Sequence, residues 1–418
     1  LFIRLVFSLS FPLWAGPDEP AYYTNVQYYA ENHWMPNYQL TGDINKSFLY
    51  VGVEQPPLYF FIAGLVYSLA SYINEINIVV HSVRILSAIF GTAVIYVTYK
   101  IARELFEDSK IVFGAAMFVA FLPTNVVMGS VIHNETMVSL LSSLTIYFVI
   151  SALKSNDGRT MLTAGIFFGL AILTKLTAFS LLVPCIVFLI FVKKNKISLR
   201  KSFGVIFLPV LISGWWFIRN YMIYGNLAPY IPALAYPKIS DHSLQWIIHF
   251  LKYLFPSIWA QEYGGATLPS YRIIFFALFA LFSLTSLIGF AQTIRRNAFI
   301  TLLQKNSVLL LATFILANLG IVFYINYNFN FPEGRWMLAS VSAIAIIFML
   351  GQKEFWIKSA NERYLRILLA LPIISLLIMD FLIILYHNSV LTYVPWPVPQ
   401  VIEGLTLAKP YVPWPPYN

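Results

Sequence analysis

The sequence predicts an all-α polytopic membrane protein, a bundle of about 11–12 transmembrane helices near the roughly 20 apolar residues that cross a bilayer. Three observations carry that expectation. The 418 residues are 59% hydrophobic and only 11% charged, whereas soluble chains carry about 25% charged residues. Long apolar runs recur along most of the chain, without the short alternating segments of a membrane β-barrel. Basic residues gather in short connections between the runs, the pattern that orients helices in a membrane. Orientation therefore accounts for the formal charge of +9, and no nucleic acid partner is expected. The single cysteine, Cys185, sits in an apolar run, so neither an intrachain disulfide nor a thiolate metal centre is available.

The first run, 1–15, ends at Gly16-Pro17-Asp18-Glu19-Pro20, and a polar stretch continues to residue 56. Gln55-Pro56-Pro57 opens the run 57–73, since proline in a first turn lacks only an N–H that has no helical partner anyway. Runs at 82–102, 111–130, 136–153, 161–174, 176–192 and 203–222 follow with short connections. A second long polar stretch, 225–270, precedes runs at 272–292, 306–326, 335–352 and 367–386. Residues 1–386 thus form one transmembrane domain with two long loops, and loops of that length act as lids or binding elements. Residues 387–418 are a tail rich in Pro, Trp and Tyr, including Tyr393-Val394-Pro395-Trp396-Pro397 and Pro413-Trp414-Pro415-Pro416-Tyr417. That composition is expected to lie extended at the external membrane interface.

Five basic groups fix the sidedness. They are Lys100/Arg103/Lys110, Lys154/Arg159, Lys193/Lys194/Lys196/Arg200/Lys201, Arg295/Arg296/Lys305 and Lys353/Lys358/Arg363/Arg366. With all five in the cytoplasm, only one of 57–73 and 82–102 can cross fully. The run 57–73 is the one expected to stay in the external first loop as a juxtamembrane or re-entrant helix. Asp18, Glu19, Glu54, His133, Glu135, Lys175, Arg219 and Arg335 then converge on the external face.

Those residue types suit particular chemistry. Carboxylates at a bilayer edge are costly and mark function by default. Asp18 and Glu19 therefore read as a general base or metal ligands, against the plainer alternative of an acidic pair that shapes the loop. Glu54 and Gln55 precede a helix start that offers partial positive charge to an anion, or Glu54 is simply a favourable first-turn acid. Lys175 stands alone between apolar runs, where it either holds a lipid phosphate or snorkels to a head group. Arg219 and Arg335 lie at external helix ends, and arginine forks bind phosphate through paired hydrogen bonds; Arg335 has Glu333 as an alternative partner. His133-Asn134-Glu135 could join Asp18 or Glu19 around a divalent metal ion, or hydrogen-bond sugar hydroxyls; one histidine with scattered acids is a thin ligand set. His242, His249, Glu262 and Arg272, in or beside the second loop, are candidates to line an acceptor site.

The motifs Pro17-Asp18-Glu19-Pro20, Gln55-Pro56-Pro57-Leu58-Tyr59, Ala102-Arg103-Glu104-Leu105-Phe106, Asn134-Glu135, Leu173-Thr174-Lys175, Trp216-Phe217-Ile218-Arg219-Asn220 and Gly334-Arg335-Trp336-Met337-Leu338 occur in that order. Together they resemble the GT-C superfamily of integral-membrane glycosyltransferases, nearest the family 39 protein O-mannosyltransferase-like and aminoarabinose transferase-like enzymes. The resemblance implies inverting transfer from a polyprenyl-phosphate-linked sugar donor to a protein, lipid or glycan acceptor, at the extracytoplasmic face of a prokaryotic cell membrane. It makes Asp18 the base, with Glu19 beside it. The donor phosphate falls to Lys175, Arg219 and Arg335, because Gln55 stands where related enzymes often carry lysine. Trp215-Trp216-Phe217 departs from the Trp-Trp-Asp motif of oligosaccharyltransferases, which argues against transfer of an oligosaccharide to asparagine. The rival readings are a lipid or sugar flippase, whose polar groups would spread through the membrane depth, and a non-catalytic partner in envelope glycan assembly.

Overall fold

The computed structural model describes residues 1–36 except 12 and 15, 53–194 except 156, 203–228, 243–260, 270–299 except 298, 301–329, 333–357 and 361–390. Among these residues all regular structure is helical. In order it comprises α1 (Phe2–Ser10), α2 (Glu19–Asn32), α3 (Leu58–Ser71), α4 (Ile76–Leu105), α5 (Ser109–Phe121), α6 (Pro123–Met128), α7 (Glu135–Ser155) and α8 (Gly158–Ile172). A first 3-10 helix (Leu176–Leu181) leads into α9 (Leu182–Lys194), α10 (Gly204–Tyr224), α11 (Leu244–Trp259), α12 (Ser270–Arg296) and α13 (Leu302–Phe329). A second 3-10 helix (Gly334–Ser340) leads into α14 (Val341–Trp356), and α15 (Glu362–Val390) is the last described helix. Segments 76–105, 135–155, 204–224, 273–296, 302–328, 334–356 and 362–385 are each long and apolar enough to cross a membrane. The shorter apolar helices 58–71, 109–121, 158–172 and 176–191 complete the bundle. The tail from 391, His242 and Glu262 lie outside the described residues.

One expected run is broken, a second break falls between two expected runs, and both build the site. The run 111–130 stops at Leu122, whose extended backbone (φ −68°, ψ 112°) precedes Pro123 at the start of α6. Proline disfavours the helical conformation in the residue before it. Lys175 is likewise extended (φ −161°, ψ 141°) and separates α8 from the first 3-10 helix.

Ion pairs at the helix ends settle which ends lie together. Lys154 on α7 meets Glu104 on α4 at 2.8 Å. Asp108 takes Lys353 at the end of α14 at 2.9 Å, and Lys110 reaches Glu362 at the start of α15 at 3.0 Å. Gln304 on α13 donates to the Leu105 carbonyl at 3.3 Å, and Gly204 packs on Leu162 near the start of α8. The basic connections therefore share one face of the bundle. The N-terminus of α3 is on the other, since Leu58 N–H donates to the Leu173 carbonyl. The C-terminus of α3 is four residues from the start of α4, whose far end is on the basic face. Both ends of α3 thus lie opposite the basic connections, and α3 does not cross.

The core is joined by small and polar residues, as expected where apolar area alone does not favour helix over lipid. A Cβ on Gly351 of α14 would stand 2.1 Å from the Ser286 carbonyl of α12, so glycine alone permits that approach. Ser342 of α14 bonds Thr98 of α4 at 2.6 Å and Ser143 of α7 at 2.7 Å.

Candidate active site

Asp18 is the N-cap of α2 and adopts a left-handed conformation (φ 54°, ψ 8°). Aspartate tolerates that region better than most residues, and the turn swings the chain from α1 into α2. The carboxylate so presented keeps about 30% of its surface exposed and accepts from Arg335 Nη2 at 2.6 Å. Arg335 itself is nearly buried. Its Nε donates to Glu333 Oε2 at 2.6 Å, and its Nη2 lies 2.5 Å from the same oxygen. The approach of α11 makes this local geometry. A Cβ on Gly334 would lie 2.1 Å from Ile258 N and 2.2 Å from Ser257 C, and the Gly334 N–H donates to Ser257 Oγ at 2.8 Å.

Glu19, beside Asp18 in sequence, is in a different environment. Both its oxygens pair with Arg84 of α4, Oε1 with Nε and Oε2 with Nη2, each at 2.7 Å, with both side chains fully buried. Oε1 also accepts from Ile132 N–H at 3.1 Å, and Oε2 from Gly16 N–H at 3.4 Å. Arg84 Nη1 donates in turn to the carbonyls of Ser8 and Phe11. Glu19 thus stitches α1, α2, α4 and the segment before α7 together.

The break between α6 and α7 supplies the next residues. His133 stacks on Tyr22 of α2, ring centroids 4.0 Å apart. Its Nδ1 lies 3.2 Å from the Glu135 N–H and its Nε2 3.2 Å from Arg335 Nη1. Both neighbours are donors, and the neutral ring accepts at one nitrogen at a time, so the tautomer decides which of the two bonds is made. Glu135 is fully buried and pairs with Lys175 through Oε1, while its Oε2 has no hydrogen-bond partner. Asn134 holds three segments at once. Its Oδ1 accepts from Tyr22 OH at 3.1 Å, and its Nδ2 donates to the Thr174 carbonyl at 3.0 Å and approaches Gln55 Oε1 at 3.4 Å. Gln55 thereby lies beside the segment carrying Lys175, and the preceding Glu54 is buried.

Arg219 lies apart from this cluster. Its guanidinium donates to the Pro36 carbonyl at 3.1 Å and to Asn220 Oδ1 at 3.0 Å, and sits over the Tyr224 ring. It ties the end of α10 to the chain leaving α2.

Burial dominates the electrostatics. It pushes the His133 imidazole well below its ordinary pKa, and Arg335 and Lys175 push the same way, so the ring is neutral. Burial also lowers the Lys175 ammonium, although the Glu135 carboxylate opposes the shift. The Glu333 carboxyl is raised by burial, against the pull of Arg335. As metal ligands the sequence candidates do not fit. Among the described residues no three histidine, cysteine, aspartate or glutamate side chains converge. Glu19, Glu135 and Asp18 each carry a cationic side-chain partner instead.

Sequence reasoning brought Asp18, His133, Glu135, Lys175 and Arg335 to one face with Glu19, Glu54 and Arg219, and the structure brings the first five into a chain of contacts. It missed Arg84, though an arginine inside the apolar run 82–102 is the kind of intramembrane charge that marks a role. It also missed Tyr22 and the linking function of Asn134, and α11 within the second loop. Buried Trp246, Phe250 and Leu254 recur every fourth residue in α11, a helical period readable in advance.

Residues 54–217 match the family model described as dolichyl-phosphate-mannose-protein mannosyltransferase. Comparison with curated proteins returns no significant match. Among solved structures, the fold is similar to ArnT from Cupriavidus metallidurans bound to undecaprenyl phosphate, with a TM-score of 0.59 at 13% identity, covering 93% of this chain and 76% of that one. The apo state of the same protein gives 0.57 at 14% identity, with 93% and 75% covered. The Archaeoglobus fulgidus oligosaccharyltransferase tethered with an acceptor peptide gives 0.52 at 14% identity, with 93% of this chain and 54% of that one covered.

Proposed function

We propose that this chain, whose residues 54–217 match the mannosyltransferase family model and whose fold is similar to that of ArnT, is a membrane glycosyltransferase that moves a sugar from a polyprenyl phosphate to a hydroxyl or amine acceptor with inversion, using Asp18 as general base. The supporting observation is the contrast among its carboxylates. Glu19 and Glu135 are wholly buried against Arg84 and Lys175, whereas Asp18 keeps about 30% exposure while held by Arg335. A base must reach the acceptor proton, and Asp18 is the carboxylate of this group placed to do so.

The reaction is a single displacement. The acceptor oxygen or nitrogen attacks the anomeric carbon as the bond from that carbon to the phosphate oxygen breaks. The acceptor proton passes to Asp18, and the electron pair leaves with the prenyl phosphate. Lys175 and Arg335 are the cations of the cluster, and Arg335 Nη1 lies 3.2 Å from His133 Nε2. Converging donors suit a developing oxyanion. Arg219, bonded to the Pro36 carbonyl, reaches the donor phosphate only through the first loop, which it steadies. Glu54 and Gln55 flank the same entrance. The face opposite the basic connections is extracytoplasmic by the positive-inside rule, and the prenyl chain runs in the bilayer beside the bundle. A protein, lipid or growing glycan supplies the acceptor.

The test uses the purified protein in lipid nanodiscs with polyprenyl-phosphate sugars and candidate acceptors. Wild type transfers sugar, and Asp18→Asn loses about 10²–10⁴-fold in rate, the range for a positioned general base. A wild type inactive with every donor would overturn the reaction; an Asp18→Asn protein of full activity would overturn the base.

A further inference from the structure

Arg335 carries two carboxylates on its guanidinium. Glu333 Oε2 accepts from Nε at 2.6 Å and lies 2.5 Å from Nη2, along the Nε–Nη2 edge. Asp18 Oδ2 approaches the same Nη2 at 2.6 Å. That edge is the one a carboxylate would otherwise occupy with both oxygens. With Glu333 on it, the guanidinium cannot rotate to present that edge to Asp18. We propose that Glu333 is a positioning residue for the transfer: it fixes Arg335 so that Nη2 aims Asp18, and it shares the Arg335 charge with Asp18. The proposal rests on Asp18 as the base and adds the residue that holds its cationic partner.

The surrounding charges agree with that role. Facing Arg335 are Asp18 and Tyr22 from the first loop and α2, His133 and Glu135 from the start of α7, and Glu333 from its own segment; Lys175 bears on Glu333 from the α8 break. With Asp18 and Glu333 both ionised, Arg335 alone is shared between two negative charges. A like charge near a carboxylate opposes its ionisation, and an opposite charge favours it. Removing the negative charge of Glu333 leaves Asp18 with Arg335 undivided. The backbone favours the arrangement too. Gly334, clamped against Ser257 and Ile258 of α11, separates Glu333 from Arg335, so both side chains hang from one fixed turn. The plainer alternative is a salt bridge across two residues that only steadies this turn.

The variants Glu333→Gln and Glu333→Asp separate the two roles when the pH dependence of kcat/KM is measured on nanodisc protein. Activity that needs an ionised base rises with pH along an acidic limb. Glu333→Gln is expected to move that limb about one unit to lower pH, with a plateau lowered roughly tenfold because the base is weaker. Glu333→Asp keeps the charge and returns the limb to its wild-type position. A purely structural bridge predicts the other pattern: both variants lower the unfolding temperature or the plateau, and the acidic limb stays where wild type has it. That result overturns the inference, as does a Glu333→Asp limb displaced as far as that of Glu333→Gln. If Glu333→Gln does not fold, Glu333→Asp and Arg335→Lys decide. Lysine cannot offer the two-proton edge, so the proposal expects a displaced limb in Arg335→Lys and an undisplaced one in Glu333→Asp. A wild type inactive with every donor would instead reject the reaction itself, so the two failures are distinct.

Discussion

Replacing Arg84 with methionine strands the Glu19 carboxylate inside the bundle. The guanidinium makes two bonds of 2.7 Å to Glu19 and two more to the Ser8 and Phe11 carbonyls, at 2.9 and 2.8 Å, with both side chains wholly buried. After the change Glu19 retains the Ile132 N–H at 3.1 Å and the Gly16 N–H at 3.4 Å as hydrogen-bond donors. Breaking one side of a buried ion pair costs about 3–5 kcal/mol, chiefly because the surviving charge is uncompensated. Replacing both partners by apolar residues removes that charge. Arg84→Met combined with Glu19→Leu should therefore cost about 3 kcal/mol less than the two single changes summed. The assay is reversible unfolding in mixed micelles, titrated with denaturing detergent, on wild type, both single variants and the double. Activity per folded molecule is measured alongside, and Glu19→Gln should retain it if Glu19 acts only by joining helices. An Arg84→Met protein that unfolds at the wild-type midpoint, or single costs that simply add, would refute the reasoning.

Three further expectations follow from the site. Lys175, lowered by burial, should lose its charge at a lower pH than an ordinary lysine. Polyprenyl phosphate binding, measured by tryptophan fluorescence, should then weaken with rising pH before a normal lysine titrates, and Lys175→Arg should remove that limb. Gly334→Ala, whose Cβ would meet the α11 backbone at 2.1 Å, should displace Arg335 and lower transfer at least tenfold; the backbone cannot yield as a flexible side chain would, and a protein of wild-type activity would count against the clamp. Breaking the hub with Asn134→Leu should leave Tyr22 OH, the Thr174 carbonyl and Gln55 without that partner and lower the unfolding free energy by about 1–3 kcal/mol, read by the same titration.

The helices and their sidedness were legible because both follow from composition: apolar length sets a span, and lysine and arginine set its direction. Asp18 and Lys175 were legible as charges set against hydrocarbon. Their pairing was not, since no periodicity links Asp18 to Arg335 across 317 positions. Glu19 shows the limit most clearly. In sequence it is the twin of Asp18; in space one backbone turn at Asp18 sends the two carboxylates to different cations. Arg219 was expected at the phosphate on the strength of its face alone; in the structure it touches the Pro36 carbonyl, Asn220 Oδ1 and the Tyr224 ring, contacts that no sequence spacing announces. Of the candidate metal ligands, Asp18, Glu19 and Glu135 each have a cationic neighbour, which a sequence alone does not show.

Asn134 joins the chain before α7 to α2 through Tyr22, to the turn after α8 through Thr174, and to the entrance of α3 through Gln55. One short amide thereby makes three loops a single mechanical part. A displacement of Gln55 by more than a hydrogen-bond length would therefore either break its contact with Asn134 or pull on Tyr22 and the Thr174 segment with it.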